Sequence, residues 1–357
     1  MGPPISRNLH RTAKKAPSKG HSKTSKTKAP VSETGPTSSL PVDLQQLLLN
    51  IFRDAFPERL STDIKPLLQE VKGHLYNRDF ATAFGKEEYL ETYALRWSPS
   101  RTLCYLEILH DLRDELKPFE SESEETEDAE WKIVGLGGGA GAEIVALGGL
   151  MKLLKTTEEE HRAKMNIAAI DIADWANVVT RLGSGIVTKP PLSKYASAAA
   201  QSANSALTSL SSFAVTFHQH DVLNLSPDTL ANIVENAHLI TLLFTLNELY
   251  TTSLSLTQKF LLNLTTALAP GAHLLVVDSP GSYSTVSLNG AERKYPMQWL
   301  LEHTLLNPSG DAKADPSPRW EKLQEEESKW FRLPAGLRYP IELENMRYQL
   351  HLYRRCG

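Results

Sequence analysis

A chain of 357 residues with 41% hydrophobic content is long enough to bury a full-sized core, which excludes a mini-protein held together by disulfides or a structural metal. Its two cysteines, Cys104 and Cys356, exclude a disulfide framework and a cysteine-rich zinc site and fit a reducing compartment. The formal charge of −4 conceals an asymmetry: residues 1–32 hold eight Lys or Arg and no acid, leaving 30 basic against 42 acidic residues, a net of −12, in the remainder. No run approaches the roughly 20 apolar residues of a membrane span, and the N-terminus lacks the apolar segment of a secretory signal, so a soluble intracellular protein is expected.

Residues 1–39 are rich in Lys, Ser, Thr, Pro and Gly and nearly free of large apolar side chains, which predicts a disordered basic tail. Such a tail serves either nuclear import or RNA binding, or is a plain solubilising leader. Beyond it, Leu44, Leu47, Leu48, Ile51, Phe52 and Ala55 form one helical stripe, and Ile64, Leu67, Leu68, Val71 and Leu75 form another. Leu90, Tyr93, Ala94 and Trp97 make a third, after which Ser98-Pro99 reads as an N-cap and first-turn proline opening a helix to Leu112. Residues 40–118 are therefore expected to form a helical subdomain, followed by an acidic linker over 119–130.

From residue 131 onward, short apolar runs alternate with helical patterns. The segments 131–136, 166–171, 213–218, 238–244 and 273–278 read as buried parallel strands, so 131–357 is expected to be a doubly wound α/β domain. Residues 183–212, rich in Gly, Ser and Ala, interrupt the rhythm and read as an insertion.

The first strand runs into Gly135-Leu136-Gly137-Gly138-Gly139-Ala140-Gly141, and a helix follows at Ala142-Glu143. Glycines between a strand and a helix let the backbone approach a ligand, while the helix N-terminus offers free N–H groups and partial positive charge. That arrangement suits a dinucleotide or S-adenosylmethionine equally well, and a ligand-free tight turn is the bland alternative. The second strand ends at Asp171, where a carboxylate can accept from both ribose hydroxyls, and Ile172 can lie against an adenine; a simple helix cap competes with this reading. After the third strand, Asp221 and Val222 are positioned to read the adenine edge.

The succession of glycine loop, Asp171, Asp221, Leu239 to Glu248, Ala269-Pro270-Gly271 and the strand ending at Asp278 resembles class I S-adenosylmethionine-dependent methyltransferases over about 220 residues. In one respect the chain departs: the resemblance leads one to expect an acidic residue where Gly135 stands. A finer resemblance, carried by Arg96-Trp97-Ser98-Pro99-Ser100-Arg101, Val134 to Glu143 and Leu343 to Arg355, is to the fungal large-subunit ribosomal RNA uridine-N3-methyltransferases. The resemblance implies a mostly parallel seven-stranded Rossmann-like sheet and S-adenosylmethionine as cofactor. It further implies methylation of one uridine in 25S or 28S ribosomal RNA, a ribosomal RNA or pre-ribosomal partner, a nuclear or nucleolar location with the cytoplasm as a further option, and no metal.

Methyl transfer from a sulfonium is largely a positioning task, but a uridine N3 carries a proton that must be removed from an unstacked base. Strand topology makes Asn247, Glu248 and Asp278 the candidates for holding or deprotonating that base. For substrate contact, Arg96, Arg101 and Tyr283 are singled out. Tyr250, Trp299, Trp320 and Trp330 are further stacking candidates, and Lys329, Arg332 and Arg338 further phosphate contacts. Eleven histidines include no HxxxH or HExxH pair, which argues against a metal enzyme. A protein or small-molecule methyltransferase, an inactive cofactor-binding assembly factor and a nicotinamide-dependent dehydrogenase remain rival readings; the alternating segment Tyr348 to Tyr353 suits a terminal antiparallel hairpin and opposes the last. A monomer is the default expectation.

Overall fold

The structure, a computed structural model, describes residues 40–119, 129–154, 163–281, 283–288, 291–306 and 319–357. The basic tail and most of the acidic linker lie outside these residues. Seven helices come first: α1 (Val42–Ala55), α2 (Pro57–Leu60), α3 (Lys65–Tyr76), α4 (Phe80–Ala83), α5 (Glu87–Arg96), α6 (Ser98–Asp111) and α7 (Arg113–Leu116). The alternating part follows as β1 (Ala129–Leu136), α8 (Ala142–Leu154), β2 (Ala163–Asp171), α9 (Ala176–Val187), α10 (Ala198–Ala203), β3 (Phe213–Gln219), α11 (Pro227–Val234), β4 (Leu239–Leu243), α12 (Leu246–Thr252), α13 (Leu254–Ala267) and β5 (His273–Asp278). A hairpin of β6 (Tyr283–Leu288) and β7 (Ala291–Pro296), then α14 (Met297–Leu305), β8 (Trp320–Phe331) and β9 (Met346–Arg355), complete the chain.

The main sheet has seven strands in the order β3-β2-β1-β4-β5-β9-β8. Pairs among β1 to β5 are parallel, whereas β9 runs antiparallel to both β5 and β8. Strands buried on both faces must be apolar at successive positions, and alternate side chains of β1 feed two different cores. Ile133 packs with Leu48, Phe52, Leu106, Leu147 and Leu182 on the face covered by α1, α6, α8 and α9. Val134 and Leu136 pack with Leu230, Phe260, Leu264 and Leu301 on the face covered by α11, α13 and α14. The N-terminal helices therefore share the core of the sheet.

Two local expectations are corrected. Ser98 does not cap α6: Trp97 holds the N-cap position without a side-chain bond, and the Ser98 hydroxyl instead donates to the Ala140 carbonyl of the glycine loop at 2.7 Å. Residues 183–187 belong to α9, because Gly185 lies against α1, where an added Cβ would stand 3.1 Å from Ile51 Cγ2. Only the part after Val187 is irregular, apart from α10.

Candidate active site

The parallel order reverses between β1 and β4, which opens a crevice at the carboxyl ends of the strands. On one side lies the glycine loop. Gly137 and Gly141 have φ of +81° and +79°, which disfavours any side chain there, and the Gly137 N–H donates to Ile170 O at 2.7 Å, bending the loop back over β2. At Gly139 the constraint is contact: a Cβ would lie 2.2 Å from Trp175 Cδ1 and 2.9 Å from Asp171 Oδ2. Asp171, at the end of β2, accepts from the Gly139 and Ala173 N–H groups, both at 3.2 Å. Burial raises its carboxyl pKa, an effect these two N–H donors oppose. Beside it Ile172 is 64% exposed, an apolar side chain presented at the crevice rim.

The end of β3 is tied to the same place by the His220 N–H, which donates to Asp171 O at 2.8 Å. Asp221 turns its own chain, its Oδ1 accepting from Leu223 N–H at 3.0 Å and its Oδ2 from Asn224 Nδ2 at 2.6 Å, while Val222 is buried beneath.

Across the crevice, β4 ends in Phe244, whose φ of +59° lets its N–H donate to Val277 O at 2.7 Å. Asp278, at the end of β5, is buried and accepts from the Asn247 and Ser279 N–H groups at 3.0 and 2.7 Å. Burial pushes its carboxyl up to about 6; Asn247, Ser279 and the Arg101 charge pull it down, and Glu248 adds to the rise. The Arg101 guanidinium comes from α6, sits 5.3 Å from the Phe244 ring centroid and donates to Tyr93 Oη at 2.7 Å. Tyr93 in turn contacts Trp97, Phe84 and Trp175 at centroid distances of 4.8, 5.3 and 5.8 Å.

Thus α5 and α6 wall the crevice, fixed there by Ser98 and by the Thr102 hydroxyl, which donates to Ala142 O at 2.8 Å. The C-terminal segment locks this wall from outside. Arg96 pairs with Glu344, the Glu344 N–H donates to Ser100 Oγ at 3.1 Å, and Tyr339 Oη donates to Leu95 O at 3.0 Å. Two stretches that resemble the same family, 96–101 and 343–355, are therefore one structural unit.

The other predicted residues divide. Asn247 lies beside Asp278, and its Oδ1 is buried without a hydrogen-bond partner among the described residues. Glu248 points to the surface, its carboxylate 40% exposed and paired with Arg78 at 3.2 Å. Tyr283 opens β6, opposite Pro296. Tyr250 and Trp320 are core residues, the latter donating to Thr265 Oγ1 at 2.8 Å. Glu302, Glu325 and His351 bring potential metal-ligand atoms within 4.8 Å of one another, but the Lys322 ammonium already bridges both carboxylates at 2.9 and 2.5 Å. Sequence reasoning missed Phe244 and Trp175, and it placed Tyr93 and Trp97 in a packing stripe. The available signal was the fourfold spacing of Tyr93, Trp97 and Arg101.

Over residues 52–354 the sequence matches a family described as "Putative SAM-dependent methyltransferase". The chain belongs to this family. A relative from Saccharomyces cerevisiae, the 25S rRNA (uridine(2843)-N(3))-methyltransferase, is 34% identical over 329 residues, covering 86% of this chain and 85% of the relative. Among solved structures, a SAM-dependent methyltransferase from Methanosarcina mazei is 12% identical, covering 65% of this chain and 94% of its own, with a TM-score of 0.34. An rRNA methylase from Streptococcus thermophilus is 10% identical, covering 71% and 96%, also with a TM-score of 0.34.

The cofactor of this methyltransferase is S-adenosylmethionine, and the glycine-loop side fits it chemically. A loop whose glycines carry no side chain of their own at positions 137, 139 and 141, a carboxylate at a strand end, an exposed Ile172 and the first turn of α8 offer the groups that a ribose, an adenine and an amino-acid carboxylate require. The absence of an acid at position 135 has a structural counterpart. Glu143, at the second position of α8, is buried and turns its carboxylate under the loop, where a Cβ on Gly135 would meet Oε2 at 2.7 Å and one on Gly138 would meet it at 3.2 Å. The Thr241 hydroxyl donates to it, and burial pushes this carboxyl up to about 7.

Proposed function

We propose that this methyltransferase transfers the methyl group of S-adenosylmethionine to N3 of a uridine in large-subunit ribosomal RNA, in the nucleus or nucleolus. The observation that carries the reading is the 34% identity to the yeast ribosomal RNA uridine-N3 enzyme, extending over 85% of that relative. The cofactor, when bound, supplies an activated methyl on a sulfonium. What remains for the chain is to hold the uracil in line, exclude water and take away the N3 proton.

Asp278 is the group suited to that proton. Ionised above its pKa of about 6, it would accept the N3 proton of a uracil held at the crevice. Arg101 shares its electrostatic environment and stabilises the negative charge that develops on the uracil oxygens; Tyr93 Oη holds the guanidinium in place. Phe244 and Trp97 offer ring faces for stacking, and the buried Asn247 Oδ1, without a hydrogen-bond partner among the described residues, offers an acceptor beside Asp278. On the cofactor side Asp171 is assigned to the ribose hydroxyls, Ile172 and Val222 to the adenine, and Gly135, Gly137, Gly138, Gly139 and Gly141 to the loop that receives it. Asp221 contributes by shaping the turn that bears Val222.

The test is mass mapping of methylated uridines in ribosomal RNA from cells lacking the protein. One missing N3-methyluridine, restored by the wild-type chain and not by Asp278→Asn, is the expected result; an unchanged modification map would overturn the substrate.

A further inference from the structure

β8 is an edge strand, and its far end carries Trp330, 51% exposed. Its neighbour Phe331 is buried in the core against Tyr348, so Trp330 points to the opposite face. That face is covered by α14 further back, where Gln298 and Glu302 reach Glu325 and Lys322, whereas Trp330 is half exposed. Two cations flank the ring: the Arg332 and Arg347 guanidinium carbons lie 5.5 and 5.9 Å from its centroid. Neither arginine has a carboxylate partner among the described residues, although Arg347 Nε donates to Ser328 Oγ at 2.7 Å. Lys329, by contrast, is neutralised by Asp111 at 3.3 Å.

Position makes this patch relevant to the reaction. Arg347 is the cross-strand partner of Trp330, and two residues on, Gln349 pairs with Asp278 and donates to Ser279 O at 2.8 Å. Two residues of strand span about 7 Å, so the patch begins about one nucleotide length beyond the end of β5, on the crevice side of the sheet. An indole face with two guanidinium groups lacking a carboxylate partner among the described residues, on an otherwise acidic body, matches single-stranded RNA, whose bases stack and whose phosphates take bidentate arginine contacts.

We infer that Trp330, Arg332 and Arg347 form an RNA-docking strip that holds nucleotides flanking the target base. A base stacks on Trp330, and two backbone phosphates lie on Arg332 and Arg347. This rests on the RNA reading above and deepens it, since the strip explains how an acidic protein body grips a polyanion beside its site.

The experiment uses the full chain with a fluorescein-labelled oligouridylate of about 12 nucleotides as binding probe, and deproteinised large-subunit ribosomal RNA from cells lacking the protein as methyl acceptor. Trp330→Ala should weaken probe binding at least about fivefold, and Trp330→Phe should retain most of it. Arg332→Ala with Arg347→Ala should reduce the slope of log Kd against log salt by about 1.4, as expected for two single-strand phosphate contacts, while the paired lysine variants keep the slope. In the alanine variants KM for ribosomal RNA should rise with kcat and S-adenosylmethionine affinity unchanged, and Trp330→Phe and the lysine variants should stay near the wild type. Wild-type probe affinity in both alanine variants would overturn the strip, as would intact RNA binding combined with lost sedimentation on pre-ribosomal particles, which would indicate a protein partner. A wild-type chain that binds no RNA at all would instead overturn the RNA reading, and the strip with it.

Discussion

The two sides of the crevice are built differently. The cofactor side is local in sequence: the glycine loop, α8 and the end of β2 follow one another, and backbone groups do most of the work, as in the Gly139 N–H bond to Asp171. The substrate side is assembled from four distant places. Arg101 and Tyr93 come from the N-terminal helices, Phe244 from the end of β4, Asp278 from the end of β5, and Glu344 and Tyr339 from the C-terminal segment bracing the wall. A side made of consecutive residues tolerates distant change, whereas one made by convergence depends on remote packing. Its specificity can then change without touching cofactor affinity.

The sharpest way to separate the two sides is at Asp278. Asp278→Asn should lower kcat by about 10²- to 10⁴-fold and leave S-adenosylmethionine affinity nearly unchanged. With Asp278 as the proposed base, the wild-type rate should climb as pH rises through about 6 and level off above it, and the variant should lose that limb. A retained limb would remove Asp278 as the base.

On the other side, Asp171→Ala deletes the acceptor for the Gly139 and Ala173 amides and, on the proposed reading, for the ribose. Calorimetric titration should show S-adenosylmethionine affinity lower by about 100-fold, with a far-ultraviolet spectrum like that of the wild type. Unchanged affinity would leave Asp171 as no more than a turn-forming residue.

Glu143 lies beneath the boundary between the sides and sharpens the comparison through stability. Its folded pKa of about 7 exceeds the ordinary value of 4.5, so the folded state binds the proton more tightly. That contribution is fully present below about 4.5 and is lost as pH rises through about 7. Glu143→Gln should therefore gain on the order of 2 kcal/mol over wild type at pH 8 and little at pH 4, measured by denaturant unfolding. Gly135→Ala should destabilise the wild-type chain and be better tolerated alongside Glu143→Ala, because the added methyl and the carboxylate compete for one space. Simple additivity in that double-mutant cycle would show that they do not.

The smallest effect is expected at Tyr93→Phe, which removes one hydrogen bond to Arg101 and keeps the ring in its aromatic contacts. A loss of about 1 kcal/mol in kcat/KM for RNA, with cofactor affinity intact, is the expected result in steady-state assays.

Much of this was legible before any coordinates. The strands ending at Leu136, Asp171 and Asp278 announce themselves as apolar runs bounded by glycine or acid, and the glycine loop with its following helix is a local pattern. The antiparallel end of the sheet was likewise visible in the alternation of Tyr348 to Tyr353. Ser98 misled because a serine before a proline is a common cap, and nothing local reveals that Ala140 competes for its hydroxyl.

By itself, then, the sequence determined the five apolar strands from residue 131 to 278, the glycine loop and the carboxylate at the end of β2, because these depend on residue types at short spacing. Only the tertiary structure decided that the N-terminal helices wall the crevice, that Arg101 reaches the Phe244 ring while Glu248 turns outward, and that Glu143 lies under Gly135. The physical reason is that side-chain direction and burial are set by packing between segments far apart in the chain, which no short spacing encodes.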